Sequence, residues 1–199
     1  MNLFKKRSKI KITLILGFLL ATNFAIANNN KPVEALSVKV GYTKADVKQT
    51  NNLVDVTLPT ENAVAVNLEI FTKCDYLRNY NLIPFIDVNL LMNSDKRIYS
   101  LGLGVKKEIP IDSPFKPYVS VSAGYALLNW KTSPLVNVIQ KDETSSSVVG
   151  SLQLGTTYKN FDFAIRYDRY NFDTKLNSGL ATSMLSDKYA LSALIGIIF

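Results

Sequence analysis

Asp187-Lys-Tyr-Ala-Leu-Ser-Ala-Leu-Ile-Gly-Ile-Ile-Phe199 is the stretch of sequence that decides the fold. Every second side chain in it is apolar or aromatic, which is typical of a strand with one apolar face. The residues on this face are Tyr189, Leu191, Ala193, Ile195, Ile197 and Phe199. Such a face needs an apolar partner, which is either lipid or the core of a protein. The stretch alone leaves two structures open: a strand that faces lipid, or a buried edge strand of a soluble sandwich.

Length and charge limit the class of protein. The chain has 199 residues, of which 47% are hydrophobic, so it can form one ordinary domain with its own core. Its formal net charge is +7, but five of its 23 basic residues lie within the first eleven positions. Without them, 18 basic residues stand against 16 acidic ones. Because this remainder is nearly neutral, we expect no nucleic-acid partner.

Two residue types are scarce, and their scarcity excludes several kinds of site. The chain has no histidine and one cysteine, Cys74. Ser-His-Asp and Cys-His catalysis need an imidazole, and so do many metal sites. A single cysteine excludes an intramolecular disulfide and a zinc-type cluster. We therefore expect no catalytic residue, no metal site and no cofactor, and we expect that the protein is not an enzyme.

The first 27 residues have the three parts of a secretory signal peptide. Lys5–Lys11 is basic, Ile12–Leu20 is apolar, and a small-x-small cleavage site follows. The residues at this site are Ala25, Ala27 and, after the cut, Asn28. The alternative is an uncleaved anchor helix, but the apolar part is shorter than the roughly 20 residues that a membrane helix needs. We expect residues 1–27 to be removed on export and residues 28–34 to form a short periplasmic segment.

Alternation continues along the rest of the chain and predicts eight strands. They are Ala35–Lys44, Asn62–Thr72, Asn81–Met92, Arg97–Ile109, Phe115–Asn129, Ser145–Lys159, Phe161–Phe172 and the terminal stretch Asp187–Phe199. Each is close to the roughly 9–11 residues that a tilted membrane strand needs. Lipid tolerates no unpaired backbone, so strands in a membrane must form a closed barrel. The sequence predicts an all-β fold over residues 35–199, an eight-stranded antiparallel up-and-down transmembrane β-barrel.

The connections between these strands are of two kinds. The short ones are predicted to be turns: Lys73–Tyr80, Asn93–Lys96, Pro110–Pro114 and Lys159–Asn160. The long polar ones are predicted to be loops: Ala45–Glu61, Lys131–Thr144 and Asp173–Ser186. Within the first of these loops, Val54, Val56 and Leu58 alternate, a pattern that allows them to extend the first hairpin as strand. If the N-terminus lies in the periplasm, the three long loops lie outside the cell.

The two faces of the predicted strands differ in chemistry. One face is Val, Leu, Ile, Phe and Tyr, and the other carries Gly, Ser and a few charges of nearly balanced sign. These charges are Lys39, Glu69, Asp87, Lys106, Glu108, Arg166 and Asp168. In a soluble lipid-binding barrel the apolar face points inward, whereas in a membrane barrel it points outward. Small residues around a few paired charges suit a narrow interior, so we expect the charges to form a salt-bridged plug there.

Several features of the sequence together resemble a known family of proteins. The leader, the alternating strands, the Lys-Pro-Tyr-Val pattern that continues to Gly-Tyr at Lys116–Tyr125, and the terminal Phe199 are similar to the OmpA-like or opacity-type outer membrane protein β-barrel domain. The resemblance implies a bacterial outer-membrane location with lipid around the barrel. It also implies that the barrel-assembly machinery reads the C-terminal strand through Tyr189, Ile197 and Phe199.

The resemblance leaves the role of the barrel open, because one fold serves many functions. The leading expectation is a structural or surface-binding protein, of the adhesin or surface-antigen type. Its contact surface for a host or environmental ligand would be residues 45–61, 131–144 and 173–186. The alternatives are a narrow pore and a secreted soluble barrel that binds a lipid.

Overall fold

The computed structural model describes residues 33–51, 55–57, 61–93, 96–130, 143–178 and 181–199. Its elements in chain order are β1 (Val33–Asn51), β2 (Asp55–Thr57), β3 (Glu61–Thr72), α1 (Asp75–Arg78), β4 (Leu82–Met92), β5 (Lys96–Glu108), β6 (Phe115–Trp130), β7 (Glu143–Tyr158), β8 (Phe161–Ser178) and β9 (Ala181–Ile198). No helix in these ranges is long and apolar enough to cross a membrane. The predicted leader and its cleavage residues Ala25, Ala27 and Asn28 lie outside the described residues.

The strands form one closed antiparallel barrel. Each of β1 and β3 to β9 pairs with the next, and β9 pairs back with β1, while the short β2 pairs with β1 alone. This gives an eight-stranded up-and-down barrel, and the predicted fold class is confirmed. Closure leaves no open sheet edge in the barrel wall, so the backbone groups there are paired without help from water.

The stretch that decided the fold is the closing strand. On β9, Ile195 pairs with Val40 of β1 on one side and with Phe163 of β8 on the other. At the end of the strand, the N–H of Phe199 donates to the carbonyl of Leu36 at 2.8 Å, and the N–H of Leu36 donates back to the carbonyl of Phe199 at 3.1 Å. We call this end of the barrel the near end. The opposite end, which holds the hairpin between β4 and β5, is the far end.

The apolar face of the strands points outward. Val121, Ile165 and Ile197 are 48%, 61% and 43% exposed, whereas their chain neighbours Ser120 and Arg166 are buried. The same alternation continues along β8 from Phe161 to Phe172. The interior therefore holds the polar set. Gly102 of β5 and Gly124 of β6 pair in register at a position where these two neighbouring strands approach closely.

Two of the predicted long loops are wrong in large part, because strand pairing continues through them. β1 runs on to Asn51, and its residues Val47–Asn51 pair with Ser183–Asp187 of β9. β8 continues to Ser178 and β9 already begins at Ala181, so most of the predicted loop 173–186 is strand. Val56 does extend the first hairpin, as part of β2. These segments are rich in Thr, Ser, Asn and Asp, a composition that indicated loops. They form strands because a neighbouring strand is available to hydrogen-bond with each of them.

The other connections differ less from the prediction. The predicted turn Lys73–Tyr80 contains the short helix α1. The hairpin after β4 is tight, with the N–H of Asn93 donating to the carbonyl of Lys96 at 3.1 Å. Lys159 has a φ of 53°, as a two-residue turn requires. Of the predicted loop 131–144, residues 131–142 lie outside the described residues, and the last two belong to β7.

The far end of the barrel is uneven in height. The pairing of β8 with β9 continues to Ser178 and Ala181, and the pairing of β6 with β7 continues to Trp130 and Glu143. Between β7 and β8, however, pairing stops at Gly150 and Arg169. The far segments of β8, β9 and β1, with β2 beside them, therefore extend the same sheet beyond the height at which β7 and β8 stop pairing. We call this extension the far sheet.

Candidate functional site

At the near end of the barrel, the interior is organised around Lys39 of β1. Its Nζ lies 2.6 Å from Oε1 of Glu69 on β3 and 3.4 Å from Oδ2 of Asp162 on β8. All three side chains are buried, at 0–1% exposure. Ser37 adds a hydroxyl that donates to Oδ2 of Asp162 at 3.1 Å. One lysine thus holds two carboxylates from strands on either side of it.

Tyr118 and Gln153 connect the two carboxylates from the other wall. The hydroxyl of Tyr118 donates to Oδ1 of Asp162 at 2.6 Å. The Nε2 of Gln153 donates to Oε1 of Glu69 at 3.0 Å and to the Tyr118 hydroxyl at 2.9 Å. These bonds cross the barrel from β6 and β7 to β3 and β8, so they fix the walls relative to one another as well as satisfying the charges.

Arg166 of β8 organises the middle of the interior. Its Nη1 and Nη2 donate to the two oxygens of Asp87 at 2.9 Å and 2.7 Å, and its Nε donates to Oδ1 of Asp168 at 2.8 Å. A guanidinium suits this position because its planar set of donors binds one carboxylate with two bonds and still reaches a second. The Nη2 also donates to the hydroxyl of Ser151 at 2.9 Å.

Neutral side chains complete the coordination of both carboxylates. Asp87 accepts from the hydroxyl of Ser122 at 2.6 Å and from the amide of Asn67 at 2.9 Å. Asp168 accepts from the hydroxyl of Ser151 at 2.6 Å and from the amide of Asn89 at 3.4 Å. Ionised carboxylates are tolerable in a buried site only when donors of this kind replace water. The arrangement holds each of these charges in place with donors from several strands.

Lys106 and Glu108 lie at the near mouth of the barrel. The Nζ of Lys106 lies 4.0 Å from the ring centroid of Tyr118 and 5.0 Å from that of Phe71, so aromatic faces surround this cation. The carboxylate of Glu108 is 4.0 Å from the same Nζ but is 40% exposed. The expectation that Glu108 is enclosed with the other charges is wrong, because it sits at the strand end where the mouth opens.

Apolar layers close the interior at both ends. At the near end, the rings of Phe71 and Phe85 are buried and lie 5.8 Å apart. At the far end, Lys96 and Ser147 are buried in the interior together with six apolar side chains: Leu91, Ile98, Ala126, Leu128, Val149 and Phe172. We call these six the far layer. The interior is therefore partly apolar at both ends, and the charged residues around Lys39 and Arg166 lie between these two apolar seals.

Sequence reasoning missed some members of the interior network. Asp162 was not counted among the interior charges, although it lies four residues before Arg166 and so on the same face of the strand. The alternation of side chains along a strand is enough to place Asp162 on the interior face. The roles of Tyr118 and Gln153 could not be found in this way, because they depend on which strands face each other across the barrel.

The three residues predicted to form the assembly signal lie on the exterior of β9. Ile197 and Phe199 are exposed, and Tyr189 is partly exposed and stacks on Tyr167 with ring centroids 6.1 Å apart. The first and third of the predicted contact loops are not loops, since the far sheet contains most of both. The structure brings these two together as neighbouring strands instead.

Solved structures of bacterial barrels resemble this chain. Neisserial surface protein A matches with a TM-score of 0.54 at 15% identity, over 83% of this chain and 97% of that one. The outer membrane protein OprG of Pseudomonas aeruginosa matches with a TM-score of 0.47 at 12% identity, over 84% and 97%. Ail, the attachment invasion locus protein of Yersinia pestis, matches with a TM-score of 0.42 at 13% identity, over 83% and 98%.

These comparisons establish the fold. No protein-family model matches the chain, and no curated protein sequence matches it. The likeness to Neisserial surface protein A identifies the architecture as that of the small eight-stranded outer-membrane β-barrels. The predicted resemblance to this class of barrel is thereby confirmed at the level of fold.

Proposed function

We propose that this protein is a non-enzymatic integral protein of the bacterial outer membrane whose far end, outside the cell, binds partners in the environment. The observation that carries the proposal is the contrast between its two parts. The interior is closed by paired charges and by apolar seals, while β1, β8 and β9 continue beyond the barrel as the far sheet. This contrast favours a binding surface at the far end over a pore through the barrel.

The outer-membrane location is supported by the chemistry of the barrel wall. Its exterior is apolar along the strands, with Leu103 and Ile165 among the exposed side chains, and its interior holds buried charges. In water this arrangement would expose a continuous apolar surface and aggregate. In a bilayer the exterior meets hydrocarbon, and the closed wall leaves no backbone group unpaired. The near end would then face the periplasm and the far end the outside.

The interior argues against the two alternative functions. A pore needs a continuous aqueous path, but Arg166 and Asp87 bridge the interior and Leu128 and Phe172 fill it further along. A soluble lipid-binding barrel needs an apolar cavity, but here the middle of the interior is occupied by charges. Purified protein in a planar bilayer is therefore expected to carry no steady ion current, and a stable conductance would contradict this part of the proposal.

The far sheet is the proposed binding surface. Lys48–Thr50 of β1 pair with Asp55–Thr57 of β2, and β9 pairs with both β1 and β8 over the same height. Hydrogen-bonded strands hold the surface in one shape, which lowers the entropy cost of binding compared with a free loop. This supports a binding protein of the adhesin or surface-antigen type.

The proposal is tested by shortening the far sheet while keeping the barrel. Residues 47–59 and 174–185 are each replaced by Asn-Gly, a sequence that favours a two-residue hairpin. Cells that display the shortened protein are expected to lose binding to matrix proteins and polysaccharides that cells with the full protein bind. Heat-modifiable gel mobility serves as the control that the shortened barrel is folded. Equal binding by both kinds of cell would contradict the proposal.

We also propose that the barrel-assembly machinery recognises the exterior of β9. The side chains of Ile197 and Phe199 point outward and are not needed to fill the interior. The backbone of Phe199 is paired with Leu36, so its ring is held in a fixed place at the near end. An exposed apolar ring at the periplasmic end is open to a protein that binds the strand before closure.

A further inference from the structure

The hydrogen-bonded ladder between β7 and β8 is shorter than either strand. It stops at Gly150 and Arg169. Beyond this height β7 continues to Glu143 beside β6, and β8 continues to Ser178 beside β9. Among the residues that the structure describes, each of the two strands therefore has a paired neighbour on one side only.

The hydroxyl of Ser147 takes the place of the next pair of backbone bonds. It accepts from the N–H of Asn171 on β8 at 2.8 Å and donates to the carbonyl of Val148 on its own strand, also at 2.8 Å. At the same height, the register of β8 against β9 shifts between Arg169 and Phe172. Shifts of this kind bend a strand and end its pairing. The two strands thus part at a defined position.

The bond of Asn171 shows which backbone groups of β8 point toward β7. Because the direction alternates from residue to residue along a strand, the N–H and C=O groups of Asp173, Lys175 and Asn177 point to that same side. The residues between them point toward β9, which pairs with β8 through this segment. On the β7 side, no described strand pairs with residues 170–178. In the described part of the chain, this edge is a row of backbone donors and acceptors without a partner strand.

The edge of β8 is the larger of the two outer edges of the far sheet. The other edge is β2, which has three residues, Asp55–Thr57. Proteins commonly protect sheet edges by making them short or by placing proline in them. The edge of β8 spans nine residues, 170–178, and contains no proline. It is therefore the better template for an added strand.

We propose that the edge of β8 from Asn171 to Ser178 binds an extended segment of a partner protein, which joins the far sheet as one more strand. This inference rests on the proposed function and names the chemistry of the partner. In this mode of recognition the affinity comes from main-chain hydrogen bonds, so it tolerates many partner sequences. The expected partner is a protein and not a polysaccharide, because only a polypeptide repeats N–H and C=O groups at the spacing of a strand.

The test is a titration of the purified full chain in detergent with a fluorescent nine-residue peptide of alternating Thr and Val, followed by anisotropy. The peptide is expected to bind, and the same peptide with every backbone nitrogen methylated is expected not to bind, since it has no N–H donor. Heat-modifiable gel mobility shows that each protein used is folded.

Two substitutions at one position separate the backbone from the side chain. Lys175→Pro removes an N–H that points away from β9, so the ladder with β9 is kept. It is expected to weaken binding of the peptide about 10-fold, because one bond is lost and the ring obstructs the edge. Lys175→Ala, the matched control, keeps the N–H and is expected to leave the affinity unchanged.

Several results would overturn the inference. They are no binding of the unmethylated peptide, equal binding of the methylated one, and equal affinities of the two Lys175 variants. Protection of the amides of Asp173, Lys175 and Asn177 from hydrogen exchange in the free monomer would show that the chain itself already pairs this edge. Protection that appears only as the protein dimerises would assign the edge to a second copy, and both findings contradict the proposal.

Binding by cells distinguishes this inference from the proposed function. If shortening the far sheet abolishes binding while Lys175→Pro leaves it unchanged, the far sheet binds its partners in another way and this inference alone fails. If shortening the far sheet has no effect, the proposed function fails.

Discussion

Arg166 on β8 and Asp87 on β4 join opposite walls of the barrel through two parallel hydrogen bonds, of 2.9 Å and 2.7 Å. In the order of strand pairing, β4 and β8 lie four strands apart in either direction around the closed wall. The residues are 79 positions apart in the chain. The pair therefore fixes the width of the interior as well as neutralising two buried charges.

Replacing Arg166 by Met is expected to lower the free energy of unfolding by about 3–5 kcal/mol, because it leaves Asp87 and Asp168 buried without their cation. The measurement is urea unfolding of the protein inserted in lipid vesicles. The double variant Arg166→Met and Asp87→Leu is expected to recover part of the loss, since it removes an unpaired charge. Ile165→Val, at the adjacent exterior position, is the control and should change the stability little. A single variant as stable as this control would contradict the assigned role.

Lys39 and Lys106 are both buried lysines, but they are expected to differ in importance. Lys39→Met removes the cation that contacts both Glu69 and Asp162, and we expect a loss of about 3–5 kcal/mol. Lys106→Met removes a cation that lies mainly against the rings of Tyr118 and Phe71, and we expect about 1–2 kcal/mol. The two variants are compared in the same urea unfolding experiment. If both variants lose the same free energy of unfolding, burial of the lysine alone, and not the number of carboxylates that it contacts, determines the loss.

Gly124 and Gly150 test how closely neighbouring strands of the barrel approach each other. A Cβ at Gly124 would lie 2.8 Å from the carbonyl carbon of Leu101 and would overlap the Leu101 oxygen and Gly102, whereas a Cβ at Gly150 would meet no atom within 4 Å. Gly124→Ala is expected to destabilise the barrel by about 1–3 kcal/mol, because the backbone must shift. Gly150→Ala, the control, is expected to have little effect. Comparable thermal unfolding of both variants would contradict the close approach.

Phe199→Ala separates assembly in the cell from folding. The backbone bonds between Phe199 and Leu36 do not depend on the ring, so the variant is expected to refold in detergent at the rate of the unaltered protein. Its level in the outer membrane is expected to fall, because the assembly machinery is proposed to bind the ring. Both are measured by heat-modifiable gel mobility. Slow refolding in detergent together with low membrane levels would indicate a structural role for the ring instead.

The faces of the strands could be predicted from the sequence, and the reason is physical. A period of two places residues such as Val121 and Ser122 on opposite sides of any strand, and the apolar side must meet an apolar surrounding. The eight strands and their order followed, because sequential antiparallel strands pair with their neighbours. Closure of the barrel was predicted because lipid tolerates no unpaired backbone, and the structure shows it in the bonds between Leu36 and Phe199.

The pairing of charges could not be predicted, because alternation does not say which residues meet across the barrel. That Lys39 contacts Asp162 depends on the stagger accumulated around the closed wall. The far layer was missed for a related reason. Leu91 and Leu128 are apolar residues on a face that is otherwise polar. Whether an interior residue belongs to the apolar seal or to the charged network depends on its height along the barrel axis, which alternation does not give. The far sheet was missed because its polar composition resembled that of loops.

The bonds of Lys39 set a condition on how the barrel can form. Lys39 lies on β1 and Asp162 on β8, on either side of β9, so these two side chains meet only when β9 pairs with β1. Before that moment the hairpin of β8 and β9 would carry Asp162 into hydrocarbon without this cation, which is costly. Neutralisation and ring closure are consequently a single event, and half-inserted intermediates are penalised. Insertion of this chain should be an all-or-none step.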